Sequence, residues 1–244
     1  MAREKDRLFA TPLQQMVDFR FDERVVSVFP DMIQRSVPGY ATLITNIGTM
    51  AARYVQPESV CYDLGCSLGA VSLSLRHAIR EPACKIIAVD NSEAMIDKAR
   101  RIFADDEASE IPVEVVCADI NEVSIDTASV VVMNFTLQFI QPAQRQALIQ
   151  TIYNGLLPGG ILILSEKLAF EDPQADQFHI DSHHDFKRAN GYSDLEISQK
   201  RSALEQVLIP ETLAQHQLRL QQAGFGFVEK WYQCFNFVSM VAVK

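Results

Sequence analysis

A chain of 244 residues, 48% hydrophobic and 22% charged, can bury one sizeable core, and a single domain spanning 1–244 is the expectation. Its formal net charge of −9 is the opposite of what a nucleic-acid backbone attracts, so no direct nucleic-acid partner is expected. Apolar runs such as Val130-Val131-Val132-Met133 stop far short of the ~20 residues that cross a bilayer, and charges near the start leave no apolar centre for an export signal, which places the protein in the cytoplasm with no membrane partner. The five cysteines (Cys61, Cys66, Cys84, Cys117, Cys234) make no C-x-x-C pair and fall mostly in apolar stretches, the pattern of reduced core thiols.

Residues 1–55 carry apolar positions mostly at helical spacing. A strand-helix alternation then begins: a buried strand at 59–64 and a helix at 68–80, followed by a strand at 85–90 and a helix through 101 capped by Asn91 or Ser92. Strands follow at 113–117 and 130–134. After a helix around 144–156, Pro158-Gly159-Gly160 reads as a turn into a fifth strand at 161–166. Repeated strand-helix units give a parallel sheet. At the end, apolar runs at 225–232 and 235–243 are too close for a helical crossover and pair as an antiparallel hairpin. Residues 1–55 and the polar segment 167–209 are left to cover the carboxyl edge of the sheet. The short basic runs Lys98-Ala99-Arg100-Arg101 and Lys200-Arg201 read as solvated helix faces.

Ligands of open parallel sheets bind beyond the carboxyl ends of the strands, so the residues just after each strand are the candidates. In Asp63-Leu64-Gly65-Cys66-Ser67-Leu68-Gly69, Gly65 permits a tight turn and close approach of a ligand to the backbone. Asp90 ends the second strand, about twenty-five positions on, where a carboxylate accepts from ribose hydroxyls. Asp119 follows the third and can accept from an adenine amino group while Ile120 packs against the ring. Asn134, which both donates and accepts, ends the fourth. The glycine turn lacks the full G-x-G-x-x-G of a pyrophosphate site. With the terminal hairpin, this favours S-adenosylmethionine over a dinucleotide.

Two other readings use the same residues. Gly65-Cys66-Ser67-Leu68-Gly69 also fits the G-x-S-x-G nucleophile elbow of hydrolases, for which Asp181 and His216 stand in the right chain order. The cluster His179, His183, His184, Asp181 and Asp185 has spacings that suit a metal but no H-E-x-x-H pattern, and no metal is assigned.

Residues 55–244 resemble the class I methyltransferase superfamily, whose Rossmann-like α/β fold carries a mainly parallel seven-stranded sheet closed by a reversed last strand. Within it, Arg20-Phe21-Asp22, Val37-Pro38-Gly39-Tyr40, Asp63-Leu64-Gly65-Cys66-Ser67, Gln199-Lys200-Arg201-Ser202 and Gln233-Cys234-Phe235-Asn236-Phe237 resemble the bacterial carboxy-S-adenosyl-L-methionine synthase family over essentially the whole chain. That resemblance implies an enzyme that converts S-adenosylmethionine and prephenate into carboxy-S-adenosylmethionine and phenylpyruvate, a product used elsewhere to modify a tRNA wobble uridine. It implies that Tyr40, Gly65, Cys66, Ser67, Asp90, Asn91, Asp119, Ile120 and Asn134 line the cofactor pocket and that Arg201 binds the new carboxylate and acts in catalysis. It further implies a homodimer. The chemistry runs through a sulfonium-stabilised carbanion and carbon dioxide, which an enclosed pocket and a guanidinium would favour. An ordinary methyltransferase acting on a small molecule is the alternative.

Overall fold

The computed structural model describes residues 5–12, 19, 21–81, 83–204 and 207–244. Arg20 lies outside the described residues. Seven strands form one sheet: β1 (Val60–Leu64), β2 (Lys85–Asp90), β3 (Val113–Cys117), β4 (Ala128–Asn134), β5 (Leu156–Lys167), β6 (Phe227–Cys234) and β7 (Phe237–Val243). Their order is β3-β2-β1-β4-β5-β7-β6. Strands β1 to β5 pair in parallel, and β7 runs antiparallel to both β5 and β6. The reversal therefore falls on β7, inserted between β5 and β6 by the hairpin the sequence predicts.

Alternation along the central strands explains their nearly unbroken apolar sequence. Tyr62, Leu64, Val131, Met133, Leu162 and Leu164 face helices α5 (Pro142–Gly155) and α8 (Leu213–Ala223), which contribute Ile149, Ile152 and Leu220. Cys61, Val130, Val132, Ile161 and Ile163 face the other way, onto Leu43 and Ile47 of α2 (Tyr40–Ala51) and Leu75 of α3 (Ala70–Ala78). Helix α4 (Glu93–Ala104) completes that layer with Ile96, Ala99 and Phe103 packed on Ala88. Both faces are covered, so both faces must be apolar. Each fully buried aliphatic side chain contributes roughly 1.5–3 kcal/mol.

Local chemistry sets the element ends. Ser92 caps α4 by accepting from the Met95 N–H at 3.3 Å, while its own hydroxyl donates to the Phe21 carbonyl at 2.6 Å. Thr212 and Gln215 form a reciprocal capping box on α8. The expected turn at Pro158-Gly159-Gly160 is instead a bulge inside β5. Leu156 pairs with Ala128 and Ile161 with Val130, so three extra residues loop out of the ladder. The C-terminal residue holds them: the Gly159 N–H donates to the Lys244 carbonyl at 2.9 Å and the Lys244 N–H to the Gly160 carbonyl at 3.0 Å.

Helix α1 (Glu23–Ser36) with the start of α2, and helices α6 (Pro173–Ala189) and α7 (Asp194–Leu204) from the 167–209 segment, lie over the carboxyl edge of the sheet. A buried polar knot joins these covers. Tyr192 donates to Asp6 at 2.5 Å, Arg35 donates to Asp31 at 3.1 Å and to the Asn190 carbonyl at 2.7 Å, and its guanidinium lies 3.9 Å over the Tyr192 ring. Among the described residues no helix is long and apolar enough to cross a membrane.

Candidate functional site

A cavity of about 620 Å³ opens where strand order reverses between β1 and β4, under α1, α6 and α7. Tyr40, Gly65, Cys66, Ser67, Asp90, Asn91, Asp119, Ile120, Asn134 and Arg201 all line it. Residues from four strand ends and two covering segments thus meet at one place.

The turn after β1 is built for close approach. Gly65 has φ +82°, and a Cβ there would stand 2.3 Å from Thr136 Oγ1, so both the backbone and the neighbour demand glycine. Ser67 also adopts a left-handed conformation, φ 52°, with its N–H donating to Asp90 Oδ2 at 2.8 Å. The other Asp90 oxygen accepts from the Ser92 N–H at 2.9 Å. Asp90 is thereby fixed by two backbone donors and retains lone pairs for a diol. Burial holds the Asp90 carboxyl above its ordinary value, and the backbone bonds offset only part of that rise. Asp119 accepts from Asn121 N–H at 2.9 Å and from its side-chain amide at 2.8 Å, both on Oδ1, leaving Oδ2 for a ligand, with buried Ile120 beside it. Asn134 Oδ1 is buried without a hydrogen-bond partner. An orphaned acceptor at the cavity wall suits a ligand amine or hydroxyl donor.

Tyr40 begins α2 immediately after Gly39, at φ +68°, where a Cβ would collide with the Tyr232 hydroxyl 2.1 Å away. Tyr232 donates to the Pro38 carbonyl at 3.0 Å, pinning the Val37-Pro38-Gly39-Tyr40 turn to β6. Burial, then the Asp63 carboxylate, pushes the Tyr40 phenol well above its ordinary range. Asp63 itself is pushed up to about 7, chiefly by burial, although Ser72 donates to it through Oγ at 2.6 Å and N–H at 3.0 Å. Burial and the charges of Asp63 and Asp90 likewise hold Cys66 as a thiol.

The hydrolase reading fails on geometry. Ser67 Oγ lies 3.4 Å from Met95 Sδ, Asp181 is exposed and bonded by Gln177, and His216 is buried on α8 and does not line the cavity. The histidine cluster disperses too. His179 stacks on Phe170 at 4.1 Å, while His183 Nε2 donates to the Ser36 carbonyl at 2.8 Å. Among the described residues no three His, Cys, Asp or Glu side chains come together as a metal site.

The sequence reading found Arg201 but missed the lysines beside it. Lys200 is no solvated residue: it is buried, donates to Ser36 Oγ at 3.1 Å and lies 3.9 Å from Asp6. Lys167 at the end of β5, Lys187 on α6, Lys200 and Arg201 on α7 line one end of the cavity, opposite Asp63, Asp90 and Asp119. The aromatic rings of Phe19, Phe21, Phe29 and Phe139 close the wall beside them, Phe21 and Phe139 edge-to-face at 5.6 Å. Of the cysteines, Cys61, Cys66 and Cys84 are buried as expected, whereas Cys117 is exposed and Cys234 half-buried.

A methyltransferase domain family matches residues 61–160. The carboxy-S-adenosyl-L-methionine synthase of Geobacter metallireducens is 66% identical over 244 residues, the whole of both chains. That of Aeromonas hydrophila is 59% identical over 240 residues, 98% of this chain and 96% of the other. Among solved structures, a putative S-adenosyl-L-methionine-dependent methyltransferase from Methanococcus maripaludis is similar with a TM-score of 0.61 at 19% identity, covering 95% of this chain and 97% of that one. An O-methyltransferase family protein from Burkholderia thailandensis is similar with a TM-score of 0.67 at 15% identity, covering 92% of this chain and 60% of that one. These structural likenesses show the class I methyltransferase fold. Identity of this degree over the full length shows that the chain belongs to the carboxy-S-adenosyl-L-methionine synthase family.

Proposed function

We propose that this cavity carboxylates S-adenosylmethionine, taking the carboxyl group from prephenate. The observation that carries the reading is the division of one cavity into a carboxylate end, formed by Asp63, Asp90 and Asp119, and a cationic end, formed by Lys167, Lys187, Lys200 and Arg201. The first suits a nucleoside with an ammonium and a sulfonium group; the second suits an anionic acid. A methyltransferase with a neutral acceptor has no use for four cations at its acceptor side.

Both small molecules are substrates. Prephenate loses carbon dioxide and hydroxide as its ring becomes aromatic, leaving phenylpyruvate; the sulfonium methyl loses a proton and bonds to carbon dioxide, and proton and hydroxide leave as water. The protein's part is to hold and to exclude. Asp90 orients the ribose, Asp119 and Ile120 the adenine, and Asn134 with Tyr40 the amino-acid end. Covering helices keep water from the reacting carbon. Arg201 binds the new carboxylate through its planar donors as charge develops there, which makes it the catalytic cation.

The high identity to named synthases supports this reading, as does the net charge of −9, which argues against direct work on tRNA. We place the enzyme in the cytoplasm as a homodimer that acts without a metal and supplies carboxy-S-adenosylmethionine for wobble-uridine modification. Mass spectrometry after incubation with S-adenosylmethionine and prephenate tests it. A product heavier than S-adenosylmethionine by one carbon dioxide, formed only with prephenate, is expected; transfer of an unmodified methyl group to a small acceptor would overturn it.

A further inference from the structure

The four cations at the cavity's anionic-substrate end are not equivalent. Lys200 donates to Ser36 Oγ and lies 3.9 Å from the Asp6 carboxylate, and Arg201 is exposed at the mouth. Lys187 is buried to 6% exposure, and neither its ammonium nor that of Lys167 makes a hydrogen bond or ion pair among the described residues. Both ammonium groups open only on the cavity, and partial loss of water without a protein acceptor is costly. Lys187 is further opposed by Lys200 and Lys167, with Asp6 the favourable charge on it. A fold does not gain stability from such an arrangement. The ammonium groups are instead placed for an anion that arrives with the ligand.

Prephenate carries two carboxylates with opposite requirements. The ring carboxylate departs as carbon dioxide, and its electrons must flow away from oxygen. A cation bound to it stabilises the ground state and raises the barrier. The side-chain carboxylate, next to the keto group, is retained in phenylpyruvate and can be gripped throughout. Resting on the function proposed above, we infer that Lys187 and Lys167 form the anchor for the retained 2-oxo-acid carboxylate of prephenate, leaving Arg201 to receive the transferred one.

Phenylpyruvate keeps only the retained carboxylate, so it isolates the anchor. Its affinity for the wild-type protein, for K187M, K167M, K187R and R201A is measured by titration calorimetry, alongside KM for prephenate and thermal midpoint. K187M is expected to weaken phenylpyruvate binding and to raise the prephenate KM by the same factor, about tenfold or more for a lost charge-assisted contact. S-Adenosylmethionine affinity should hold within about twofold, and the thermal midpoint should stay level or rise, because an opposed buried cation is gone. K187R should recover most of the affinity. R201A should leave phenylpyruvate binding in place. Unchanged phenylpyruvate affinity in both K187M and K167M overturns the anchor, as does a fall in thermal midpoint with unchanged affinity, which marks a structural lysine. Wild-type protein that binds no phenylpyruvate also overturns it. Failure of the wild type to make carboxy-S-adenosylmethionine is a separate result and strikes the proposed function instead.

Discussion

Asp90 Oδ2 accepts a 2.8 Å hydrogen bond from the Ser67 N–H, which ties the end of β2 to the left-handed turn after β1. One carboxylate thus shapes the turn and faces the cavity. D90A should lower S-adenosylmethionine affinity by about a hundredfold and destabilise the fold by about 1–3 kcal/mol, since the Ser67 and Ser92 donors lose their acceptor. D90N should be nearly as harmful to binding, because its amide brings N–H groups toward backbone N–H groups. Calorimetric titration and thermal denaturation check both.

Gly65 faces Thr136 so closely that G65A meets two obstacles: a left-handed backbone and a side chain at 2.3 Å. We expect G65A to abolish measurable ligand binding and to lower stability by several kcal/mol. Adding T136A removes the two nearest atoms and should restore part of that stability, with about 1–2 kcal/mol of backbone strain remaining. Denaturant titration of the single and double variants separates the contributions.

Arg201 meets the carboxylated product and not its precursor in the proposed arrangement. R201A should weaken carboxy-S-adenosylmethionine at least tenfold more than S-adenosylmethionine. Equal losses in a competition titration would remove Arg201 from the carboxylate.

Burial, then Lys200 and Lys167, pushes the Lys187 ammonium down to about 7 against the pull of Asp6. It faces Lys167 from β5, Lys200 and Arg201 from α7, Asp6 from the N-terminal segment, and His184 and His183 on its own helix, the last held neutral by burial and the lysines around it. Anion binding needs the protonated form, so phenylpyruvate affinity should fall as pH rises through about 7, approaching tenfold per unit. In K187R that fall should move to higher pH. The depressed value also means that Lys187 costs folding stability below its ordinary 10.5, increasingly as pH falls toward 7. K187M should therefore show its greatest stability gain at and below neutral pH.

The sheet was legible where breakers stand beside apolar runs: β2 and β3 fall at the expected residues, and the hairpin follows from spacing alone. Pro158-Gly159-Gly160 misled because a bulge and a turn use the same residues, and only pairing to Ala128 and Lys244 distinguishes them. Asp90 and Asp119 were readable because each stands at or just beyond the end of a strand, whereas Asp63, inside β1, was not singled out. Lys167, Lys187 and Lys200 were not, being single lysines on three different elements in polar surroundings. Only the packing of α6 against α1 and α7, over the end of β5, brings them to one cavity, where the knot around Asp6 and Tyr192 shields Lys200 from water.

The source of the transferred carboxyl group is the central claim, and isotope tracing reads it directly. Prephenate labelled with carbon-13 at its ring carboxylate is incubated with the protein and S-adenosylmethionine in buffer holding unlabelled bicarbonate, and the nucleoside product is analysed by mass spectrometry. The account predicts carboxy-S-adenosylmethionine carrying the label in proportion to the labelled prephenate. A carboxylated product without label, or a label found only in free bicarbonate, would contradict it.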